Sequence, residues 1–99
     1  MARFVIWSRR AVDDLESIAE YISHDSDAYA SSVVRKILQK TRRLEDFPNL
    51  GRVVPEFNDE SIREIFAYNY RIIYRIENED VTIAAVVHGK RLLTIELKP

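Results

Sequence analysis

The strongest constraint on the fold is the stretch of residues 70–93, where two runs rich in Ile, Val and Tyr flank a polar tetrapeptide, Glu77-Asn78-Glu79-Asp80. This pattern is typical of a β-hairpin. Because successive side chains of a strand point to opposite faces, the first run predicts one core face and one opposite face. The predicted core face carries Tyr70, Ile72, Tyr74 and Ile76, and the opposite face carries Arg71, Ile73 and Arg75.

The second run extends the same alternation. Its predicted core face carries Val81, Ile83, Ala85 and Val87, and its opposite face carries Thr82, Ala84, Val86 and His88. A slip of one residue would invert both faces, so a buried face fixes the register. We therefore expect Arg71, Arg75 and His88 on the uncovered face, which would suit anions or acidic partners.

The first half of the chain predicts a short strand and two helices. Arg3–Trp7 is short and apolar, and Ser8 is suited to cap a helix from Arg9 to about Ser23, whose apolar residues recur at helical spacing. Ser26 or Asp27 is suited to cap a second helix, which ends before Pro48. The short connection predicts an antiparallel helical hairpin.

The region between the helices and the hairpin predicts one brief and one longer strand. Val53-Val54 is halted by Pro55, and Ile62–Phe66 is the better strand, although its alternation does not say which face is buried. The order β–α–α–β–β–β predicts an α+β fold with the helices on one face of a mainly antiparallel sheet.

Composition predicts one ordinary globular domain over residues 1–99. Cysteine is absent, so disulfides and thiolate sites are excluded, and neither a metal nor a cofactor is expected. The net charge of −1 does not indicate nucleic-acid binding. No apolar run approaches a membrane span and the N-terminus lacks signal-peptide features, so a cytoplasmic protein without a membrane partner is expected.

Charges are unevenly distributed along the two predicted helices. Acidic residues cluster early and basic ones later: Asp13, Asp14, Glu16 and Glu20, then Arg35, Lys36, Lys40, Arg42 and Arg43. Two interpretations remain open, namely two solvated helix faces that attract each other and a basic stripe for a partner.

The layout resembles the RelE/ParE superfamily of toxins from type II toxin–antitoxin systems. The matching segments are WSRRAVDDLESIAEYI, LEDFPNLGRVVPE, IREI, YRIIYRI and AVVHGKRLL, and together they cover nearly the whole chain. Within the superfamily, the "GR" turn and the "HGKR" ending are most similar to the ParE branch, often called plasmid stabilisation proteins. The resemblance implies a small toxin that a cognate antitoxin wraps and inactivates, as a homodimer or a toxin–antitoxin hetero-oligomer.

The resemblance leaves the cellular target open. ParE-branch members are associated with poisoning DNA gyrase, whereas RelE-branch members cut mRNA in the ribosome. The first hypothesis is therefore a ParE-like toxin that acts by binding, using the Arg63/Arg71/Arg91 face, the basic end of the second helix and the C-terminal segment. The alternatives are a metal-independent, ribosome-dependent endoribonuclease and a degenerate member that binds its antitoxin and harms nothing.

The candidate functional residues are Arg63, Arg71, His88 and Arg91. The arginines resemble positions from which nuclease members supply cations to phosphate, and Arg is suited to that role by its planar fork. His88 is a candidate acid or base because its unperturbed pKa lies near neutrality. We expect these four side chains to converge on one patch that the helices leave uncovered.

Other residues in the same region carry competing interpretations. Glu56 and Glu64 are candidate bases, and Arg52 is a further candidate cation. Arg71 is equally suited to pair with Glu64 across the sheet, and His88 to act as a simple turn residue. The loop VVPEFNDES carries three acids and no lysine, where nuclease members carry a lysine-rich loop, so it would repel RNA.

Overall fold

The computed structural model describes residues 4–90, which form two α-helices on one face of a five-stranded sheet. The helices are α1 (Arg9–Ser23) and α2 (Asp27–Arg42), and a 3-10 turn (Arg43–Glu45) follows α2. The strands are β1 (Val5–Trp7), β2 (Arg52–Val53), β3 (Ile62–Ala67), β4 (Tyr70–Glu77) and β5 (Asp80–His88). The prediction of an α+β fold with both helices on one sheet face is confirmed.

Both helices begin at the predicted serine caps. The Ser8 hydroxyl accepts a hydrogen bond from the Ala11 N–H at 3.1 Å, and the Ser26 hydroxyl accepts one from the Tyr29 N–H at 3.0 Å. Each bond satisfies an N–H that has no partner within its own helix. Within the described chain, no helix is long and apolar enough to cross a membrane.

The strands lie in the order β1-β5-β4-β3-β2, with β1 parallel to β5 and every other pair antiparallel. The strand β2 is short, and it pairs only with Arg63 and Glu64 of β3. The end of β3, residues 65–67, therefore extends past β2 along this edge of the sheet.

The sheet is buried on both faces. The helix-side face and the helices share one core, with Val33, Ile37, Ile72, Tyr74 and Ile83 fully buried in it. The opposite face, called the outer face below, carries a second cluster formed by Val54, Ile62, Ile73, Ala85 and Val87, with Phe57 packed against it. The loop that follows β2 therefore covers much of the face predicted to be bare.

A β-bulge at Ala84 corrects the predicted faces of β5. Ile73 pairs with Ala85 while Tyr74 pairs with Ile83, so Ala84 is an extra residue on this strand. Beyond the bulge the alternation is inverted. Ala85 and Val87 lie in the outer cluster instead of the helix-side core, and Val86 lies in the helix-side core. The predictions for these three residues are wrong because the sequence pattern assumed an unbroken strand.

Two residues of the first helical segment hold the bulge. The Ser8 hydroxyl donates a hydrogen bond to the Ala84 carbonyl at 3.1 Å, and the Asp14 carboxylate accepts one from the Val86 N–H at 2.9 Å. A bulge disrupts the ladder locally, and side chains at the start of α1 supply the missing partners. Asp14, which also lies 3.5 Å from Arg10, thus ties α1 to β5.

Candidate functional site

Arg71 lies on the outer face of β4, paired with Phe66 on β3 and Val87 on β5. Its two terminal nitrogens donate to the two carboxylate oxygens of Glu56 at 2.8 Å each, and its Nε donates to Glu64 Oε1 at 2.6 Å. Only 6% of the Arg71 side chain is exposed, so this cation is buried and engaged on both sides by carboxylates.

The hydrogen bonds to Glu56, with a further contribution from Glu64, raise the pKa of Arg71 above its ordinary value, although burial acts in the opposite direction. The guanidinium therefore remains charged. Buried ion pairs of this kind persist only when additional hydrogen bonds satisfy both partners, and here each arginine nitrogen faces a carboxylate oxygen.

Glu64 extends the cluster to a second arginine. Its side chain is fully buried, and its Oε2 accepts from Arg52 Nε at 2.6 Å. Arg52 is 61% exposed at its side chain and lies over the Phe66 ring, 5.3 Å from the centroid. Two arginines thus meet two carboxylates, Glu56 and Glu64, and their formal charges cancel. We call these four residues the arginine–carboxylate cluster.

A cavity of about 410 Å³ opens beside the arginine–carboxylate cluster. Arg52, Glu56 and Arg71 line it together with Phe66. An anion entering it would meet the Glu56 carboxylate as well as the two guanidinium groups. Arg71 is already hydrogen-bonded to Glu56 and Glu64, and Arg52 to Glu64.

Arg63 lies on the other face of the sheet. It pairs with Tyr74, and directly opposed residues share a face, which places Arg63 on the helix side. Its terminal nitrogen donates to the Gly51 carbonyl at 2.9 Å and its Nε donates to the Glu60 carbonyl at 3.0 Å. Arg63 therefore connects the residue before β2 to the end of the loop that follows β2.

The hydroxyl of Tyr74 holds the segment just before β2 in place through hydrogen bonds. Its buried hydroxyl donates to the Pro48 carbonyl at 2.7 Å and accepts from the Gly51 N–H at 2.9 Å. Burial raises the pKa of Tyr74, and the Gly51 hydrogen bond and nearby Arg63 oppose that rise. A side chain at position 51 would clash, because its Cβ would collide with the Glu64 carbonyl oxygen.

His88 also lies on the helix-side face, because the bulge inverts the end of β5. It pairs with Tyr70, and the two rings meet edge to face with centroids 6.0 Å apart. The imidazole is exposed, and its Nδ1 accepts a hydrogen bond from the Lys90 N–H at 3.3 Å. The expected placement of His88 beside Arg71 is wrong.

The four sequence-derived candidates therefore do not converge on one described patch. Arg71 faces outward, Arg63 and His88 lie on the helix side, and Arg91 lies outside the described residues. The alternative pairing of Arg71 with Glu64 is present. The catalytic roles proposed for these residues stay predictions.

Sequence reasoning missed two features of this region. One is the bulge, whose only signal is the apolar run Ile83–Val87, in which no polar residue marks a face. The other is an aromatic contact between distant elements, since Tyr29 of α2 meets Tyr68 edge to face at 5.9 Å. Within residues 4–90, no group of three or more His, Cys, Asp or Glu side chains is arranged to hold a metal ion.

The chain is similar to known toxins in sequence pattern and in fold. A family model described as "ParE toxin of type II toxin-antitoxin system, parDE" matches residues 5–93. No curated protein matches the chain.

Three solved structures illustrate the shared fold. A chromosomal ParDE system from P. aeruginosa matches with a TM-score of 0.73 and 18% identity, over 90% of this chain and 98% of that one. A mutant of the E. coli toxin RelE in the free state matches with a TM-score of 0.65 and 17% identity, over 91% of this chain and 86% of that one. A chain of the RelBE2 toxin–antitoxin complex from Mycobacterium tuberculosis matches with a TM-score of 0.63 and 18% identity, over 89% of this chain and 99% of that one.

Proposed function

This chain belongs to the ParE toxin family of type II toxin–antitoxin systems, and from that premise we propose that it poisons a cellular protein by binding it. The proposed target is DNA gyrase, the target associated with the ParE branch. A cognate antitoxin protein neutralises the toxin by forming a hetero-oligomer with it. On this proposal the chain is not an endoribonuclease, and it performs no bond-breaking chemistry of its own.

The observation that carries the proposal is the engagement of Arg71 by two carboxylates. Metal-free RNA cleavage needs cations that are available to the phosphate in the transition state. Glu56 and Glu64 already occupy the guanidinium, with nitrogen–oxygen distances of 2.6–2.8 Å. An RNA phosphate would have to displace a carboxylate and then remain beside it, which electrostatic repulsion disfavours.

The position of His88 supports the same conclusion. A general acid or base must lie within hydrogen-bond reach of the atom it serves, directly or through one water. His88 shares a sheet face with Tyr70, whereas Arg71 shares the opposite face with Val87. A phosphate held at Arg71 would therefore be on the wrong side of the sheet for proton transfer to or from this imidazole.

A supercoiling assay with the purified chain and DNA gyrase tests the proposal. We expect loss of supercoiling activity and accumulation of DNA breaks, with no cleavage of mRNA in a parallel assay on programmed ribosomes. Unimpaired supercoiling without DNA breaks would count against the gyrase target. Ribosome-dependent mRNA cleavage would replace the binding proposal with the nuclease alternative.

The His88→Ala variant separates the two mechanisms inside the cell. His88 is exposed, so its removal should leave the fold intact. A toxin that acts by binding should still arrest growth when this variant is induced, whereas a nuclease that depends on the imidazole should not. Induction of the unaltered chain without any growth defect would instead favour the degenerate, harmless member.

The antitoxin part of the proposal is tested by the neighbouring reading frame. Its product, co-expressed with this chain, should co-purify as a hetero-oligomer and restore gyrase activity in the supercoiling assay. Light scattering on the purified complex would give its stoichiometry. A neighbouring product that neither binds nor restores activity would contradict this assignment.

A further inference from the structure

Four tyrosines and one histidine form an exposed aromatic surface at one end of the molecule. Tyr21 lies in the last turn of α1 and Tyr29 in the first turn of α2. Tyr68 lies in the turn between β3 and β4, and Tyr70 pairs with His88 across β4 and β5. We call these five residues the aromatic patch.

The rings of the aromatic patch contact one another and remain accessible. Tyr29 meets Tyr68 edge to face with centroids 5.9 Å apart, and Tyr70 meets His88 in the same way at 6.0 Å. Burial raises the pKa of Tyr70, and the phenols of Tyr29 and Tyr21 add to that rise, so both phenols lie within electrostatic reach of Tyr70. Tyr21 is 77% exposed, Tyr68 52% and Tyr29 48%. Exposed aromatic rings that cluster in this way are typical of interaction sites.

The backbone at Tyr68 indicates that this ring has a role beyond folding. Ala67 pairs with Tyr70, so Tyr68 and Asn69 form a two-residue hairpin turn. The turns favoured at such hairpins have a positive φ at their first position, where glycine is common, and Tyr68 has a φ of 55° there. Because its ring is half exposed, packing offsets little of this strain. Strained residues cluster at sites that contact ligands.

The helical turn beside the aromatic patch is acidic. Residues 20–27, which close the helical hairpin, include three carboxylates, Glu20, Asp25 and Asp27, and neither Lys nor Arg. Within residues 4–90, none of these three carboxylates forms an ion pair. The opposite end of the hairpin is basic, with Arg9, Arg10, Arg42 and Arg43. The helical layer is therefore negative at the end that carries the tyrosines.

Asp25 lies on the same side of the helical turn as Tyr21. The N–H groups of Asp25 and Ser26 both donate to the Ile22 carbonyl at 3.0 Å, so the helical turn continues past the end of α1. Residues four apart on such a turn are neighbours. The Asp25 carboxylate therefore borders the exposed Tyr21 ring.

A cavity of about 320 Å³ borders the aromatic patch on the side of β5. Tyr68 and His88 line it together with Lys90. Because Lys90 would repel another cation there, a basic group is favoured on the helical side, beside Tyr21 and Asp25. The cavity suits an uncharged part of the same partner.

We propose that the aromatic patch binds a basic segment of a partner protein, with an arginine of that segment against the tyrosine rings and beside Asp25. A guanidinium is attracted to the face of an aromatic ring and stacks on it. The phenol and carboxylate oxygens accept hydrogen bonds from its N–H groups. Nucleic acid is the poorer occupant, because the carboxylates would repel its phosphates.

A designed peptide tests the proposal without knowledge of the natural partner. The probe is a short blocked peptide that alternates arginine and glycine. We expect saturable binding to the full chain in nuclear magnetic resonance titrations, with amide shifts centred on Tyr21, Asp25 and Tyr68. The side-chain protons of the peptide arginines should move upfield, because ring currents shield groups that lie over an aromatic face. The matched peptide with citrulline, which keeps the shape of arginine without its charge, should not bind.

Two matched pairs of variants examine the rings and the charge separately. Tyr21→Ala should weaken binding by about threefold or more through loss of a cation–π contact, whereas Phe47→Ala removes an exposed ring outside the aromatic patch and should bind as before. Asp25→Lys should weaken binding by about fivefold or more, whereas Asp46→Lys applies the same charge change to an exposed residue outside it and should bind as before.

The variant Tyr68→Gly separates binding from folding. It removes the backbone strain together with the ring, so binding should weaken by about threefold or more, while the free energy of unfolding in urea stays at or above that of Tyr68→Ala. Unchanged peptide binding in this variant would show that the ring serves the fold alone and would contradict the proposal.

Several further results would overturn the proposal. These are absence of saturable binding, equal binding of the citrulline peptide, equal losses in the two members of either matched pair, and tighter binding of a single-stranded oligonucleotide at the same residues. Displacement of the probe by a peptide of the chain's own residues 91–99 would do the same. The inference rests on the proposed function only in taking a protein as the partner. The peptide readout is independent of gyrase inhibition, so each can fail without the other.

Discussion

At the scale of single residues, three non-glycine residues of the described range 4–90 adopt a left-handed backbone conformation. They are Asn58, Tyr68 and Asn78, with φ of 50°, 55° and 56°. Asparagine tolerates this region, whereas a bulky aromatic residue there is an outlier. The hairpin between β3 and β4 thus stores strain at Tyr68, whose ring is half exposed and touches Tyr29.

This strain predicts that glycine is a more stable replacement than alanine at position 68. Tyr68→Gly should be more stable than Tyr68→Ala by about 1 kcal/mol, because only glycine enters this conformation without penalty. Both variants lose the contact with Tyr29, so that loss cancels in the comparison. The free energies of unfolding in urea give the difference, and an alanine variant as stable as the glycine variant would contradict it.

The raised pKa of Tyr74 predicts that the folded chain loses stability in alkaline solution. Burial raises its pKa above the ordinary value of 10.0, so the folded chain holds the phenol proton more tightly than the unfolded chain does. The stabilisation is complete below pH 10.0 and is lost as the pH rises from there through the folded-state pKa. Urea unfolding over this alkaline range should show the decline.

The variant Tyr74→Phe identifies the source of that decline. It should cost about 1–3 kcal/mol at neutral pH, because the Gly51 N–H and the Pro48 carbonyl lose their buried partner. Its alkaline decline should be shallower but still present, since burial also raises the pKa of Tyr70. An unchanged slope would mean that Tyr74 does not cause the effect.

At the scale of secondary structure elements, the junction of α1 with β5 decides which side chains the sheet presents on each face. Ser8 satisfies the carbonyl of the bulge residue Ala84, and Asp14 satisfies the N–H of Val86, two residues further along the strand. The face of every residue from Ala85 to His88 follows from this one extra residue.

Removal of the Asp14 carboxylate should therefore destabilise the chain. Asp14→Ala should cost about 1–3 kcal/mol, because the Val86 N–H is left without its partner. Hydrogen exchange at Val86 should accelerate. The matched control is Asp13→Ala, whose side chain is 61% exposed and, among residues 4–90, approaches only Arg9, at 3.7 Å, so a change within about 0.5 kcal/mol is expected. Equal losses in the two variants would contradict the role of Asp14.

The elements themselves were predictable from local signals, and the bulge was not. Ser8, Ser26 and Pro48 mark helix boundaries through chemistry that acts within a few residues. The face of β5 depends on a contact between residues 72 positions apart, Asp14 and Val86, which no local pattern contains. The buried side of β3 was undecidable for a similar reason, since Glu64 is buried only because Arg52 and Arg71 reach it.

At the scale of the whole molecule, the sheet separates two cores of different build. The helix-side core is covered by two complete helices, whereas the outer cluster is covered by a loop. The Glu56–Arg71 ion pair and Phe57 hold that loop against the sheet. Loop coverage with few apolar contacts is typical of the parts of a protein that open first.

The variant Glu56→Ala should increase local opening of the loop that covers the outer cluster and leave the helix-side core unchanged. Loss of a charged hydrogen-bonding partner costs about 1.5–3 kcal/mol, and roughly a tenfold or greater increase in local opening follows. Exchange of the Phe57 and Asn58 amides, which donate to the Val54 carbonyl, should accelerate, while helix amides should not. The control is Glu60→Ala, an exposed acid of the same loop. Uniform acceleration across both cores would contradict this separation.

The extra residue in the last described strand also limits what can be carried over from relatives. Counting positions along β5 from a homologue that lacks an insertion at Ala84 would assign the role of an outward side chain to His88, on the far side of the sheet. Roles in this family should therefore be transferred by spatial superposition, strand segment by strand segment. If the alignment gap is placed one position too late, a residue that packs in the core is matched to a residue that has a functional role in the relative.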